Sequence, residues 1–165
     1  LYYIGSQILI KMDNLDIANK YLVKAISLDP KNKDYRNDQQ KLAELKDLLN
    51  RARKTFDSGL IDDAIIEYEK LTIKYPQHAI VFYNLGLIYI IKGKYNEAHK
   101  NLKSALRYQP RLASAHHNLG LFYLKIGDYF KAHKAFKMAN QLDPSFPIPN
   151  KTNELINDFN SRAQR

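Results

Sequence analysis

The feature that most constrains the fold is an internal repeat. The segment from Ala79 to Pro110 aligns without a gap onto the segment from Ala113 to Pro144, at an offset of 34 residues. An Asn-Leu-Gly triplet, a following Tyr, a second Gly and a final Pro recur in register between the two copies. A sustained period of this length is typical of proteins built from stacked supersecondary repeats. The 165 residues leave room for about five such units.

Small residues and prolines mark where two helices of each repeat meet and end. Gly86 lies inside the first predicted helix, where the absence of a side chain lets a second helix approach. Gly93 can take a left-handed conformation and end that helix, and Pro110 stops the second one. The next copy repeats this punctuation at Gly120, Gly127 and Pro144.

The residues that recur form a recognisable signature. In one copy they are Phe82, Leu85, Gly86, Tyr89, Ala98, Leu102 and Pro110, and in the next His116, Leu119, Gly120, Tyr123, Ala132, Phe136 and Pro144. This pattern resembles the signature of the tetratricopeptide repeat family, with Phe82 in place of the usual Trp. The resemblance implies an all-α fold, a right-handed α-solenoid of helix-turn-helix repeats in which first helices line a concave face.

The prolines define a single predicted repeat domain over residues 1–165. Pro76 precedes Pro110 by 34 residues, but Pro30 precedes Pro76 by 46, so one repeat carries 12 extra residues. The predicted repeats are 1–32, 33–78 with an elongated first helix, 79–112 and 113–146, followed by a capping helix at about 150–163. Because the chain opens on Leu1 inside a repeat, the first repeat is expected to be truncated.

The extra residues are predicted to lengthen a helix between Lys33 and Asp57. Apolar residues recur there at spacings of 3 and 4, without Gly or Pro, at Leu42, Leu45, Leu49, Ala52 and Phe56. This periodicity predicts one helix of about 24 residues, and the insertion alone would add roughly 18 Å to its length. The polar first half of the helix is expected to face water.

The concave face implied by the resemblance is the predicted binding groove. Asn50, Asn84 and Asn118 recur at intervals of 34, and their amides could hold the backbone of an extended peptide; the alternative is that they make local bonds. The apolar residues nearby either line a hydrophobic groove or are covered by another segment. The candidate groove residues are Asn50, Arg53, Tyr83, Asn84, Leu87, Ile91, His117, Asn118, Leu121 and Lys125.

The positive charge of the chain is concentrated in one stretch. The formal net charge is +9, and residues 92–137 contain ten Lys and Arg against only Glu97 and Asp128. The candidate basic outer face lies on second helices and consists of Lys100, Lys103, Arg107, Lys134 and Lys137. It is either a solvated surface or a site for an acidic partner, an anionic membrane or nucleic acid. Tyr residues occupy core positions instead of alternating with the cations, which argues against nucleic acid.

No residue pattern predicts catalysis, a metal site or a cofactor. The chain has no Cys and no H-E-x-x-H sequence, and it contains neither G-x-S-x-G nor a phosphate-binding glycine loop. No apolar run reaches the length of a membrane span, so direct membrane insertion is not expected. The sequence does not indicate a compartment.

These features together predict a non-catalytic scaffold or adaptor for protein–protein interaction. The groove would bind an extended or helical segment of a protein or peptide partner. One alternative is that the chain is the recruiting arm of a larger enzyme or of a secretion or membrane assembly. Another is a structural module that self-associates.

Overall fold

The computed structural model describes residues 1–150 together with Thr152 and Glu154, and within these residues the chain forms eight α-helices. No strand occurs in this described part, so the predicted all-α class is confirmed. The predicted capping helix at about 150–163 lies almost wholly outside the described residues. The helices are α1 (Tyr2–Lys11), α2 (Leu15–Leu28), α3 (Lys33–Asp57), α4 (Ile61–Lys74), α5 (Ala79–Ile91), α6 (Tyr95–Tyr108), α7 (Ala113–Lys125) and α8 (Tyr129–Leu142).

The turns inside the repeats follow the predicted glycines. Gly59, Gly93 and Gly127 have φ of 80°, 77° and 80°, a left-handed conformation that residues with a Cβ rarely adopt. Each second helix ends two residues before a proline, as the sequence predicts, at Pro30, Pro76, Pro110 and Pro144.

The chain divides into two compact units, with the boundary inside α5. The first unit comprises Leu1–Leu85 and the second begins at Gly86. Each unit has its own buried apolar residues, for example Leu22 in the first and Phe136 in the second, both fully buried. The single repeat domain over residues 1–165 stays a prediction.

In the first unit, α2 lies against α1 and α3, and α3 lies against α4. The core between α2 and α3 contains Ala18, Leu22 and Leu42, all nearly inaccessible to solvent. Glu44 in the middle of α3 accepts hydrogen bonds from Lys74 Nζ at 2.5 Å and from the Tyr75 hydroxyl at 2.9 Å. Burial and this bond to Glu44 raise the pKa of Tyr75 to about 12.

The elongated helix is confirmed, and most of its polar first half is exposed as expected, although Tyr35 and Asp38 contact α1. α3 runs without interruption for 25 residues, and its first half contacts α1. The Tyr3 hydroxyl and Gln7 Nε2 both donate to the Asp38 carboxylate, at 2.8 and 2.9 Å, and the Tyr3 and Tyr35 rings lie 4.5 Å apart. The first half of α3 therefore contacts α1 through Tyr35 and Asp38.

In the second unit, α7 packs on both α6 and α8. A Cβ added at Gly86 would lie 3.0 Å from Leu102 Cγ, and one added at Gly120 only 2.7 Å from the ring of Phe136. Ala98 and Ala132, small residues on the second helices, are fully buried. The close helix approach that the sequence predicts at Gly86 and Gly120 is thus confirmed.

Candidate functional site

The candidate groove residues of the first unit lie on α3 and α5. Asn50 and Arg53 are exposed on α3, where Arg53 forms an ion pair with Asp57 at 3.7 Å. Tyr83 and Asn84 are half-buried on α5. Asn84 Nδ2 donates to the Tyr68 hydroxyl at 3.2 Å, and burial raises the pKa of Tyr68. This bond connects α5 to α4 through the amide nitrogen of Asn84. The carbonyl oxygen is the other hydrogen-bonding atom of that side chain.

The candidate groove residues of the second unit lie on the last turns of α5 and on α7. Ile91 is 57% exposed and Leu121 is 41% exposed, while Leu87 is half-buried. The exposed Lys125 lies one turn after Leu121, and its Nζ lies 5.9 Å from the centre of the Tyr95 ring. Two large apolar side chains and a cation therefore face solvent on the first helices of this unit.

His117 and Asn118 are the more enclosed members of the groove set. The His117 ring lies 5.2 Å from the Phe136 ring and 5.1 Å from the Phe146 ring, and burial lowers its pKa. Its Nδ1 is buried without a hydrogen-bond partner among the described residues. Asn118 is 9% exposed. The three asparagines thus differ in setting, because Asn50 is exposed, Asn84 is bonded to Tyr68 and Asn118 is buried.

The five residues of the candidate basic outer face are all exposed and lie on α6 and α8 of the second unit: Lys100, Lys103, Arg107, Lys134 and Lys137. Burial lowers the pKa of nearby His99, and the charge of Lys103, one of the five, and that of Lys131 lower it further. Its Nε2 lies 3.1 Å from the Tyr123 hydroxyl and its ring stacks on Phe122 at 4.7 Å. His99 therefore packs between α6 and α7.

An apolar pocket opens beside these cations, and sequence reasoning did not find it. It has a volume of about 330 Å³ and lies between α6, α7 and α8. We call it the α6–α8 pocket. Its apolar lining comes from Leu106, Leu119, Ala135 and Met138, and Lys131 and Lys134 lie at its edge. The lysines were visible in the sequence, but the pocket depends on the relative placement of three helices.

Sequence reasoning also missed a buried carboxylate in the first unit. Asp13, in the turn between α1 and α2, has a φ of 54° and a side chain that is only 6% exposed. Its carboxylate accepts hydrogen bonds from His78 Nδ1 at 2.7 Å and from the Ile80 backbone N–H at 2.9 Å. A carboxylate placed at the N-terminus of α5 is also favoured by the helix dipole. Asp13 therefore connects the first repeat to the start of α5.

A second cleft, of about 180 Å³, lies beside this carboxylate. Its floor includes Ile10 and Leu45, and its polar edge includes Asp38, Lys41 and His78. The bond to Asp38 raises the pKa of Tyr3 to about 12, with burial and the Asp38 charge contributing. Asp38 accepts hydrogen bonds from Tyr3 and Gln7 and lies 3.6 Å from Lys41, so it is engaged within the fold.

Metal binding and membrane insertion would each need a particular arrangement of residues in the part of the chain that the structure describes. Among those residues, no group of three or more His, Asp or Glu is placed to hold a metal ion. None of the helices described is both long and apolar enough to span a membrane.

Comparison with known proteins identifies the repeats. Models of the tetratricopeptide repeat match residues 1–32, 67–100 and 113–146, and a further TPR repeat model matches residues 86–127. A search of curated proteins finds no match.

Solved structures show the same fold. Two crystal structures of MamA are each 24% identical to this chain, with a TM-score of 0.58. The match to the first spans 86% of this chain and 75% of the MamA chain. The match to the second spans 88% of this chain and 73% of the MamA chain. A tetratricopeptide repeat protein from Parabacteroides merdae ATCC 43184 is 19% identical with a TM-score of 0.56, over 87% of this chain and 52% of its own. With its paired helices, glycine turns and matches along most of its length, this chain belongs to the tetratricopeptide repeat family.

Proposed function

We propose that this protein is an interaction scaffold that binds a segment of a partner protein along its first helices. Tetratricopeptide repeats generally mediate protein–protein interaction, and this supports a scaffold role in general. The partner segment would be extended or helical. Apolar contacts would come from the end of α5 and from α7 in the second unit.

The observation that carries this proposal is the exposure of Ile91 and Leu121. Both are large apolar side chains on first helices of one unit, 57% and 41% exposed. Complete burial of such a side chain contributes about 1.5–3 kcal/mol, so covering the exposed half of each would contribute roughly 1 kcal/mol. The adjacent Lys125 would favour a partner with an acidic residue beside its apolar ones.

The test is a matched pair of double variants on immobilised protein. Ile91→Glu with Leu121→Glu should abolish retention of a partner protein that the unmodified chain captures, because two charges would enter an apolar contact. The control is Ile66→Glu with Ile73→Glu, since these residues of α4 are 48% and 82% exposed and lie on a second helix. Equal loss with both double variants, or retention by the first, would move the binding surface away from α5 and α7.

A second candidate function, self-association, is favoured by an apolar stripe on α1. Ile4, Ile8 and Met12 are 63%, 54% and 56% exposed. Residues four apart share one face of a helix, so Ile4 and Ile8 form an apolar stripe on α1, and Met12, which caps the C-terminus of α1, extends it. A second copy of the chain could cover it with a helix of its own.

Light scattering after size-exclusion chromatography tests this candidate. At about 100 µM, well above the range of weak specific complexes, the unmodified chain should have the mass of a dimer or a larger assembly. The variant Ile4→Glu with Ile8→Glu should be a monomer. A monomeric unmodified chain at this concentration would refute self-association through α1.

A further inference from the structure

The strongest unassigned feature is the α6–α8 pocket in the second unit. It is open to solvent, and its floor is apolar, with Leu106 from α6, Leu119 from α7 and Met138 from α8. Met138 is itself 41% exposed. A volume of about 330 Å³ is at the lower limit for sites that bind small molecules, and it is ample for one large apolar side chain.

Cations flank this pocket on two sides. Lys131 and Lys134 line it from α8, and Lys103 lies one helical turn before Leu106 on α6. α8 contains three lysines and no acidic residue. Lys131 is paired with Asp128 at 2.7 Å, whereas Lys134 makes no ion pair within the described residues. Lys134 is thus the lining cation available to a ligand.

The charges of lysines on both flanking helices act on His99, a residue beside the pocket. His99 lies on α6, beside Tyr123 of the pocket wall. After burial, the largest causes of its lowered pKa are the charges of Lys103 and Lys131, one from each flanking helix. The same two positive charges would attract an incoming carboxylate.

We propose that the α6–α8 pocket and its flanking lysines bind an acidic segment of a partner protein. One large apolar side chain of that segment enters the pocket, and acidic residues on either side of it contact Lys134 and Lys103. This site is independent of the first-helix surface on which the proposed function rests, because it is built mainly on second helices. It would give the scaffold a second class of partner.

The contacts around Tyr123 favour a protein segment over a nucleic acid. Proteins that bind single-stranded nucleic acid stack its bases on exposed aromatic rings. The Tyr123 ring is already in contact with Lys131 Nζ at 5.7 Å, with His99 at 5.7 Å and with Phe122 at 5.2 Å. A bilayer would instead meet protruding apolar side chains such as Phe130, which is 75% exposed and does not line the pocket.

The experiment uses a fluorescein-labelled twelve-residue peptide of Glu and Ser with one central Phe, titrated with the whole chain at low salt. Lys134→Glu should weaken binding about 10-fold, since it removes an attraction and adds a repulsion close to the ligand. Lys137→Glu changes the net charge identically from the next turn of α8 but does not line the pocket, and should weaken binding less than about 3-fold. Replacing the Phe of the peptide by Ala should cost roughly 10-fold.

Several outcomes would overturn the proposal. Equal losses for Lys134→Glu and Lys137→Glu would reduce the effect to general charge attraction. An Ala peptide that binds as well as the Phe peptide would mean that the pocket is unused. Tighter binding of a 20-nucleotide single strand, or of phosphatidylserine vesicles, than of the peptide would assign the surface to nucleic acid or membrane.

Ala135→Phe, which fills the pocket, should abolish peptide binding while circular dichroism stays unchanged.

Discussion

Replacing Phe136 by Ala is expected to lower the free energy of unfolding by about 3–5 kcal/mol, the range for removing a buried aromatic side chain from a core. Phe136 is fully buried, and it is the largest fully buried side chain in the part of the chain that the structure describes. Its ring lies directly beneath Gly120 of α7 and 5.2 Å from the His117 ring. Truncation would leave a cavity between α7 and α8, since the backbone at Gly120 has no side chain with which to fill it. Urea unfolding followed by circular dichroism measures the change.

Phe130 provides the matched control for this prediction. It lies on the same helix, α8, but is 75% exposed. Phe130→Ala should therefore change the free energy of unfolding by less than about 0.5 kcal/mol. If the two variants had equal stability, the close packing of α8 on α7 would be refuted. A reduced m-value for Phe136→Ala would indicate that the second unit no longer unfolds in one cooperative transition.

Asp13→Ala should destabilise the protein by about 3 kcal/mol. The substitution removes the acceptor for His78 and for the Ile80 backbone N–H. Loss of a charge-assisted bond in a buried position costs roughly 1.5–3 kcal/mol. It also leaves an alanine at a φ of 54°, a left-handed conformation that costs another 1–2 kcal/mol or so. The same urea titration measures both contributions together.

Two further substitutions separate the contributions. Asp13→Gly removes the hydrogen bonds but tolerates the left-handed backbone, so it should be about 1 kcal/mol more stable than Asp13→Ala. Asp13→Asn tolerates the same conformation and retains one acceptor oxygen, and should be the mildest of the three. A loss below about 0.5 kcal/mol for Asp13→Ala would contradict a structural role for this carboxylate.

Most of the fold could be predicted from the sequence because its signals are local. Gly93 and Gly127 end first helices, the prolines follow second helices, and the apolar spacing from Leu42 to Phe56 indicates the long α3. Each of these signals depends on backbone geometry or on periodicity within one helix. They do not require knowledge of which helices touch.

What the sequence did not reveal depends on contacts across the chain. Asp13 precedes Gly59 by the same 46 residues that separate Pro30 from Pro76, so it occupies the turn position that glycine fills in the later repeats. Its left-handed conformation could have been inferred from that alignment, but its bonds to His78 and Ile80 could not. Likewise, the sequence does not reveal that Asp38, within the mostly exposed start of α3, accepts hydrogen bonds from Tyr3 and Gln7. The α6–α8 pocket has no signature in sequence because it is the space left between three helices.

The Asp13 bonds have a consequence for how the array unfolds. Repeat proteins generally behave as a one-dimensional series in which each unit is coupled only to its immediate neighbours, so terminal repeats fray independently. Asp13 lies between α1 and α2 and Ile80 at the start of α5, 67 positions later, so this link passes over α3 and α4. Hydrogen exchange in α1 should therefore follow the opening of the α4–α5 junction, and the N-terminal repeat should open only when that junction does.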